Sequence, residues 1–190
     1  MRSRPNPRWT TSCLNEKFAV ERVTDVGMRI RDATEADLAA IVAIYNAAIP
    51  GRTATADTEP VSVESRRGWF RDHDPTKRPL WVAVEDDIVG WLSFQSFYGR
   101  PAYHGTAEIS VYVAPKWQRK GTGRELLATA VQRAHGFGIS TLLGFIFGRN
   151  EASLHLFESF GFQRWGVLPR VAELDGIEHD LIILGRRVMD

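Results

Sequence analysis

Gln118-Arg119-Lys120-Gly121-Thr122-Gly123-Arg124 has the residue types and the spacing to hold an anion. Two glycines at a helix start leave its first N–H groups unpaired and uncovered, and the helix dipole suits that end to phosphate or pyrophosphate. Arg119, Lys120 and Arg124 add positive charge around it. The anion such a cradle fits belongs to a nucleotide-like cofactor. The run lacks the Gly-Lys-Ser/Thr of a Walker loop and the third glycine of a dinucleotide fingerprint. Ten residues before the cradle stands a second chemical candidate, Glu108. Burying a carboxylate in a strand is costly, so Glu108 is either an ion-paired or solvated residue or a group with a task.

These residues need a strand and a helix to hold them. Val111-Tyr112-Val113 reads as the end of a buried central strand, Tyr103 to Val113, that stops at Pro115. Period-2 alternation puts Glu108, Ser110 and Tyr112 on one face and Ile109, Val111 and Val113 on the other. Arg124 to Phe137 reads as the helix behind the cradle, ended by Gly136 and Gly138.

Upstream, Met28–Arg31 is a short strand, and Thr34 with Asp37 forms a capping box for a helix carrying Leu38, Ile41, Val42 and Tyr45. The small, polar loop 51–60 is of the kind that closes over a site. Ser62–Arg71 is a second helix, and Leu80–Glu85 and Ile88–Phe97 are strands. Leu142–Phe147, a helix Glu151–Phe160 and Phe162–Glu173 follow. Asp175-Gly176 then turns into Ile177–Leu184 with a strong hairpin signal. Strands mixed with helix–strand units, without repeats, predict an α/β (α+β) sheet of mixed direction.

Four segments in order carry a resemblance: Ile30-Arg31-Asp32-Ala33-Thr34 with Ile44-Tyr45-Asn46; Glu108-Ile109-Ser110-Val111-Tyr112-Val113; Gln118-x-x-Gly121-x-Gly123; and Asn150-Glu151-Ala152-Ser153 with Phe160-Gly161-Phe162. Together they resemble the GNAT superfamily of N-acetyltransferases, in its phosphinothricin and methionine-sulfoximine branch, over residues 28 to 186. The resemblance implies a twisted, mostly antiparallel sheet flanked by helices and splayed where acyl-CoA enters. It implies acetyl-CoA as co-substrate, held by Val111, Tyr112, Val113, Arg119, Lys120, Gly121, Thr122, Gly123, Arg124, Asn150 and Ser153. Glu108 matches the presumed general base of the family. Asn150 also reads as a helix N-cap, and both roles can coexist.

Where many members carry a tyrosine that protonates the departing thiolate, this chain has Phe157, which cannot. His155 lies about 200° around the helix from it and reads as a surface residue. Trp69, Phe97, Tyr103 and His104 are the candidates for the acceptor pocket. The branch carries arginines where this chain has Tyr98 and His104. The expected reaction is therefore direct transfer of acetyl to the primary amine of a small molecule, an amino acid or analogue. Two alternatives stay open: a protein N-terminal or lysine acetyltransferase, and an acyl-CoA-binding module without turnover.

The composition is that of an ordinary globular domain, with 190 residues, 44% hydrophobic, 25% charged and a net charge of +1. No basic stripe suggests nucleic acid, and no apolar run suggests a membrane span. No histidine cluster has metal-ligand spacing, so no metal is expected. The single Cys13 fits a reducing, cytoplasmic setting. Residues 1–27 read as an N-terminal extension to a single domain, 28–190. Trp81, Trp91 and Trp165 read as core. Leu181-Ile182-Ile183-Leu184 is apolar on both strand faces and calls for cover, so a homodimer is expected.

Overall fold

The computed structural model describes residues 21–23 and 27–188. One sheet runs through the molecule in the order β1-β2-β3-β4-β5-β6-β8-β7. Its strands are β1 (Glu21–Val23), β2 (Arg29–Asp32), β3 (Leu80–Val84), β4 (Ile88–Ser96), β5 (Thr106–Val113), β6 (Thr141–Phe147), β7 (Gln163–Leu174) and β8 (Ile177–Arg187). Every neighbouring pair is antiparallel except β5 with β6. Residues 21–23 of the expected extension thus pair with β2, Glu21 opposite Arg31. The rest of 1–26 lies outside the described residues.

Helices α1 (Leu38–Asn46) and α2 (Val63–Arg71) cover one face, over Leu80, Val82, Val84 and Trp91. Helices α3 (Thr122–Arg133) and α4 (Glu151–Ser159) cover the other, over Leu92, Phe94, Ile109, Leu142 and Ile146. The alternation of β4 and β5 sends one set of side chains to each layer. Ahead of α1, the Asp37 carboxylate accepts from the Thr34 N–H (2.7 Å) and hydroxyl (2.9 Å) and from both Arg31 guanidinium ends (2.6 and 2.9 Å). Those bonds, chiefly Arg31's, hold its pKa down at about 2. The hairpin turn has both Asp175 (φ 53°) and Gly176 (φ 77°) left-handed, as a two-residue turn matched to strand twist requires.

Three expectations are corrected. The central strand starts at Thr106, because Pro101 opens a 3₁₀ turn through Tyr103. Helix α3 gives way at Ala134 to a 3₁₀ turn. Trp81 and Trp91 are buried, but Trp165 is 48% exposed, lying over Gly185 on the outermost strand. On that hairpin Ile182 and Leu184 are buried, and the exposed apolar residues are Val167, Leu168, Val171 and Ile177. The uncovered surface therefore sits mainly on β7, one strand further out than the sequence pattern suggests. Among the described residues no helix is long and apolar enough to cross a membrane.

Candidate active site

The parallel pair β5–β6 is registered only over Thr106↔Thr141, Ala107↔Leu142 and Glu108↔Leu143. Beyond Glu108 the two strands part. The Ala114 N–H bonds Val89 O (2.9 Å), so by alternation Tyr112, Ser110 and Glu108 aim their backbone groups at β4. Those of Val111 and Val113 face the opening instead. A cleft of about 420 Å³ occupies it, lined by Glu108 to Tyr112, Phe145 to Phe147, Asn150, Ser153 and Phe157.

Glu108 stands where the strands divide. Among the described residues its carboxylate has no hydrogen-bond or ion-pair partner, and burial raises its pKa. A partly buried, unpaired carboxylate with a raised pKa is suited to take up a proton. Its neighbours on the same face, Gln95 and Ser110, are its cross-strand partner and its next residue but one.

At the wide end, Gly121 is the N-cap of α3 with φ 91°, and Arg119 is also left-handed at φ 60°. Glu125 is the first to bond back into the helix, donating to Gly121 O at 3.0 Å. The N–H groups of the first turn are thus left without helix partners. A Cβ on Gly121 would meet nothing within 4 Å, so the space above the turn is open. Gly123 differs: a Cβ there would lie 3.3 Å from Leu156 Cδ2 and 3.6 Å from Val113 Cγ2. Its bareness serves the approach of α3 to α4 and β5. Lys120 Nζ lies 4.8 Å from the Trp117 ring centroid, and the Arg124 guanidinium 5.2 Å from that of Phe160. Open donors with three cations around them fit a pyrophosphate.

Loop 51–60 lies across the cleft, with Thr53 to Ala56 in its lining. Tyr112 donates to Ala54 O (2.9 Å), and Asn150 Nδ2 to Thr53 O (3.1 Å). Asn150 is also the N-cap of α4, accepting from the Ser153 N–H at 3.1 Å. Tyr45 reaches Thr55 (2.5 Å) and Asp57 (2.6 Å), and Arg66 pairs with Asp57 at 2.9 Å. The sequence reading missed the strap from Tyr45, Asp57 and Arg66, because spacing along one element carries no sign of a contact between two helices and a loop.

The predicted acceptor residues are divided. Trp69 walls a separate recess of about 160 Å³ with Tyr45, Trp91, Ser110 and Tyr112, so recess and cleft share Ser110 and Tyr112. Phe97, Tyr103 and His104 line a third hollow, of about 460 Å³. Phe97 touches the cleft through Phe145, ring centroids 6.5 Å apart. The His104 ring nitrogen lies 2.9 Å from Pro101 O, and His104 O accepts from Arg78. Phe157 is buried against Gly144, and His155 is exposed. Among the described residues no acidic, histidine and cysteine side chains gather as a metal site.

The sequence matches the model of the Acetyltransferase (GNAT) family over residues 41–162. It is 49% identical to "Putative phosphinothricin acetyltransferase YwnH" of Bacillus subtilis, covering 85% of this chain and 99% of that one. It is 34% identical to an L-methionine sulfoximine/L-methionine sulfone acetyltransferase of Pseudomonas aeruginosa, over 82% of this chain and 91% of that one. The structure superposes with a TM-score of 0.80 on a GNAT superfamily phosphinothricin acetyltransferase from Sinorhizobium meliloti in complex with AcCoA. That protein is 27% identical, over 85% of this chain and 88% of that one.

Proposed function

We propose, from the premise that this chain belongs to the acetyltransferase (GNAT) family and uses acetyl-CoA, that it acetylates the primary amine of a small amino acid or analogue. The observation that carries this reading is the unpartnered Glu108 at the point where β5 and β6 separate. Acetyl-CoA enters from the α3 end. Its pyrophosphate rests on the N–H groups of the 119–124 turn with Arg119, Lys120, Thr122 and Arg124 around it, and its arm runs along Val111, Tyr112 and Val113 toward Asn150 and Ser153.

The amine enters from the Glu108 side, bordered by Trp69, Phe97, Tyr103 and His104. Glu108 takes one proton from the ammonium group through water, the neutral nitrogen attacks the thioester carbonyl, and the tetrahedral intermediate expels the CoA thiolate with the C–S bonding pair while the nitrogen's second proton passes to water. Buried Phe157 offers no proton to that thiolate, which leaves without help from that position. The acceptor class is supported by the relatives, whose names specify amino acid analogues.

Two further parts belong to the proposal. Exposed Trp165, Val167, Leu168 and Val171 support a homodimer through the β7 edge. The single cysteine supports a cytoplasmic setting. The function is tested by a thermal-shift titration with acetyl-CoA and a free-thiol assay across amines. A shift together with thiol release on amino acids is expected. A shift without release on any amine would instead make this an acyl-CoA-binding module.

A further inference from the structure

A group of aromatic rings stands at the Glu108 end of the cleft without serving either core. Phe97 is its centre: its ring centroid lies 4.3 Å from Tyr98, 5.4 Å from Tyr103 and 6.5 Å from Phe145, the last nearly parallel at 19°. Phe145 lines the same cleft as Glu108. The β5–β6 register puts Phe145 on the sheet face that carries Glu108, and the ring contact puts Phe97 there too. Phe97, one residue past β4, and Phe145 of β6 thus lie on the sheet face that carries the Glu108 carboxylate of β5.

Two features say that this wall is presented and not buried. Tyr98 is 77% exposed and Tyr103 41% exposed. Tyr98 is also left-handed at φ 51°, next to a left-handed Gly99 at φ 61°. A bulky residue is disfavoured in that region, where glycine or asparagine would sit at lower cost. The chain nevertheless holds a tyrosine there with its ring in solvent.

Among the described residues no lysine or arginine lines the cleft itself. The Arg78 guanidinium donates to the carbonyls of Lys77, His104 and Thr106, while its buried Nε has no partner among the described residues. Lys77, Arg78 and Arg100 do line the neighbouring hollow that Phe97 and Tyr103 share, so it is the rings and not the charges that favour a flat, apolar group.

We infer that the acceptor amine carries an aromatic or other flat apolar substituent, which lies on Phe97, Tyr98, Tyr103 and Phe145 while its nitrogen faces Glu108. This rests on the reading of the cleft as an amine acetylation site. The acceptor is then an aromatic amino acid or arylalkylamine, set apart from its aliphatic counterpart by ring contact.

The test compares pairs of equal charge, phenylalanine against alanine and phenethylamine against propylamine, by free-thiol release in the wild type, Tyr98→Ala and Tyr98→Phe. The aromatic member of each pair should have a kcat/KM at least about tenfold higher, from several ring contacts together. Tyr98→Ala should lose about three- to tenfold of that advantage through KM, as expected for one contact, and Tyr98→Phe should keep it. Turnover without aromatic preference, or a preference untouched in Tyr98→Ala, overturns this inference and leaves acetyl transfer standing. A Tyr98→Ala variant that changes only in solution mass overturns it equally, for the rings then serve a contact between chains. No thiol release from any amine overturns both readings.

Discussion

Gly121 and Gly123 are two residues apart in one motif, yet they are bare for different reasons, and replacing each by alanine separates them. Gly121 has φ 91° and open space where a Cβ would point, so the penalty of Gly121→Ala is purely one of backbone. Holding an L-residue left-handed costs roughly 1–2 kcal/mol. Gly123 is helical, and alanine there gains about 1 kcal/mol of propensity. Its new methyl would come within 3.3 Å of Leu156 Cδ2, the free end of a side chain that can swing aside by a few tenths of an ångström. The two effects nearly cancel.

Urea denaturation should therefore show Gly121→Ala less stable by about 1–2 kcal/mol, and Gly123→Ala within about 0.5 kcal/mol of wild type, where substitutions without a large mechanism fall. If the turn relaxes to relieve strain at 121, its N–H groups lose their common aim. Acetyl-CoA affinity measured by calorimetry should then fall about tenfold, the loss of about one charge-assisted hydrogen bond. Gly123→Val, with two γ-carbons between Leu156, Val113 and Val111, should cost about 1–3 kcal/mol by overpacking. Equal stability and acetyl-CoA affinity in Gly121→Ala and wild type would refute the cradle as derived.

Asp37, held at about pKa 2 against an ordinary 3.8, contributes about 2 kcal/mol of stability above pH 4 that is lost as pH falls toward 2. Asp37→Asn should lose that stability at neutral pH and flatten the acid limb of a stability–pH curve; an unchanged limb would remove the pair with Arg31 from the account. Asn150→Ala removes the 3.1 Å bond to Thr53 and the cap of α4, so thermal stability should fall by about 1 kcal/mol and loop 51–60 should become more open to proteolysis. Light scattering at micromolar concentration should give twice the 21.4 kDa chain mass, falling to the monomer in Val171→Asp; a monomeric wild type would reject the β7 edge as an interface.

Local chemistry was readable in the sequence wherever one element determined it. Thr34 and Asp37, the Asp175-Gly176 turn and the strand–turn–helix around Gly121 are each set by residues close together in the chain. The face shared by Glu108, Ser110 and Tyr112 follows from strand alternation alone. What depends on separate elements was not readable. No spacing rule tells that β6 leaves β5 after Leu143, or that Tyr45, Arg66 and Asp57 meet at loop 51–60. Trp165 reads as a core residue by type and strand position. Its exposure comes from β7 being the sheet edge and shifting register twice against β8. The four acceptor candidates were chosen by type and by resemblance, and their division between two hollows, neither of them the cleft, comes from the Pro101 turn and from α2, neither of which local pattern connects to Glu108.

The central claim is that Glu108 frees the amine of its proton at the mouth of the splayed strands, and the pH dependence of kcat/KM in Glu108→Gln against wild type tests it most directly. An amine of pKa about 8 is roughly one-tenth neutral at pH 7 and one-hundredth at pH 6. A variant that must wait for the neutral form should thus be about tenfold slower than wild type at pH 7, about a hundredfold slower at pH 6 and nearly equal at pH 9. Acetyl-CoA affinity should not change. A deficit of the same size at every pH, or none at all, would contradict the account and leave Glu108 a structural carboxylate.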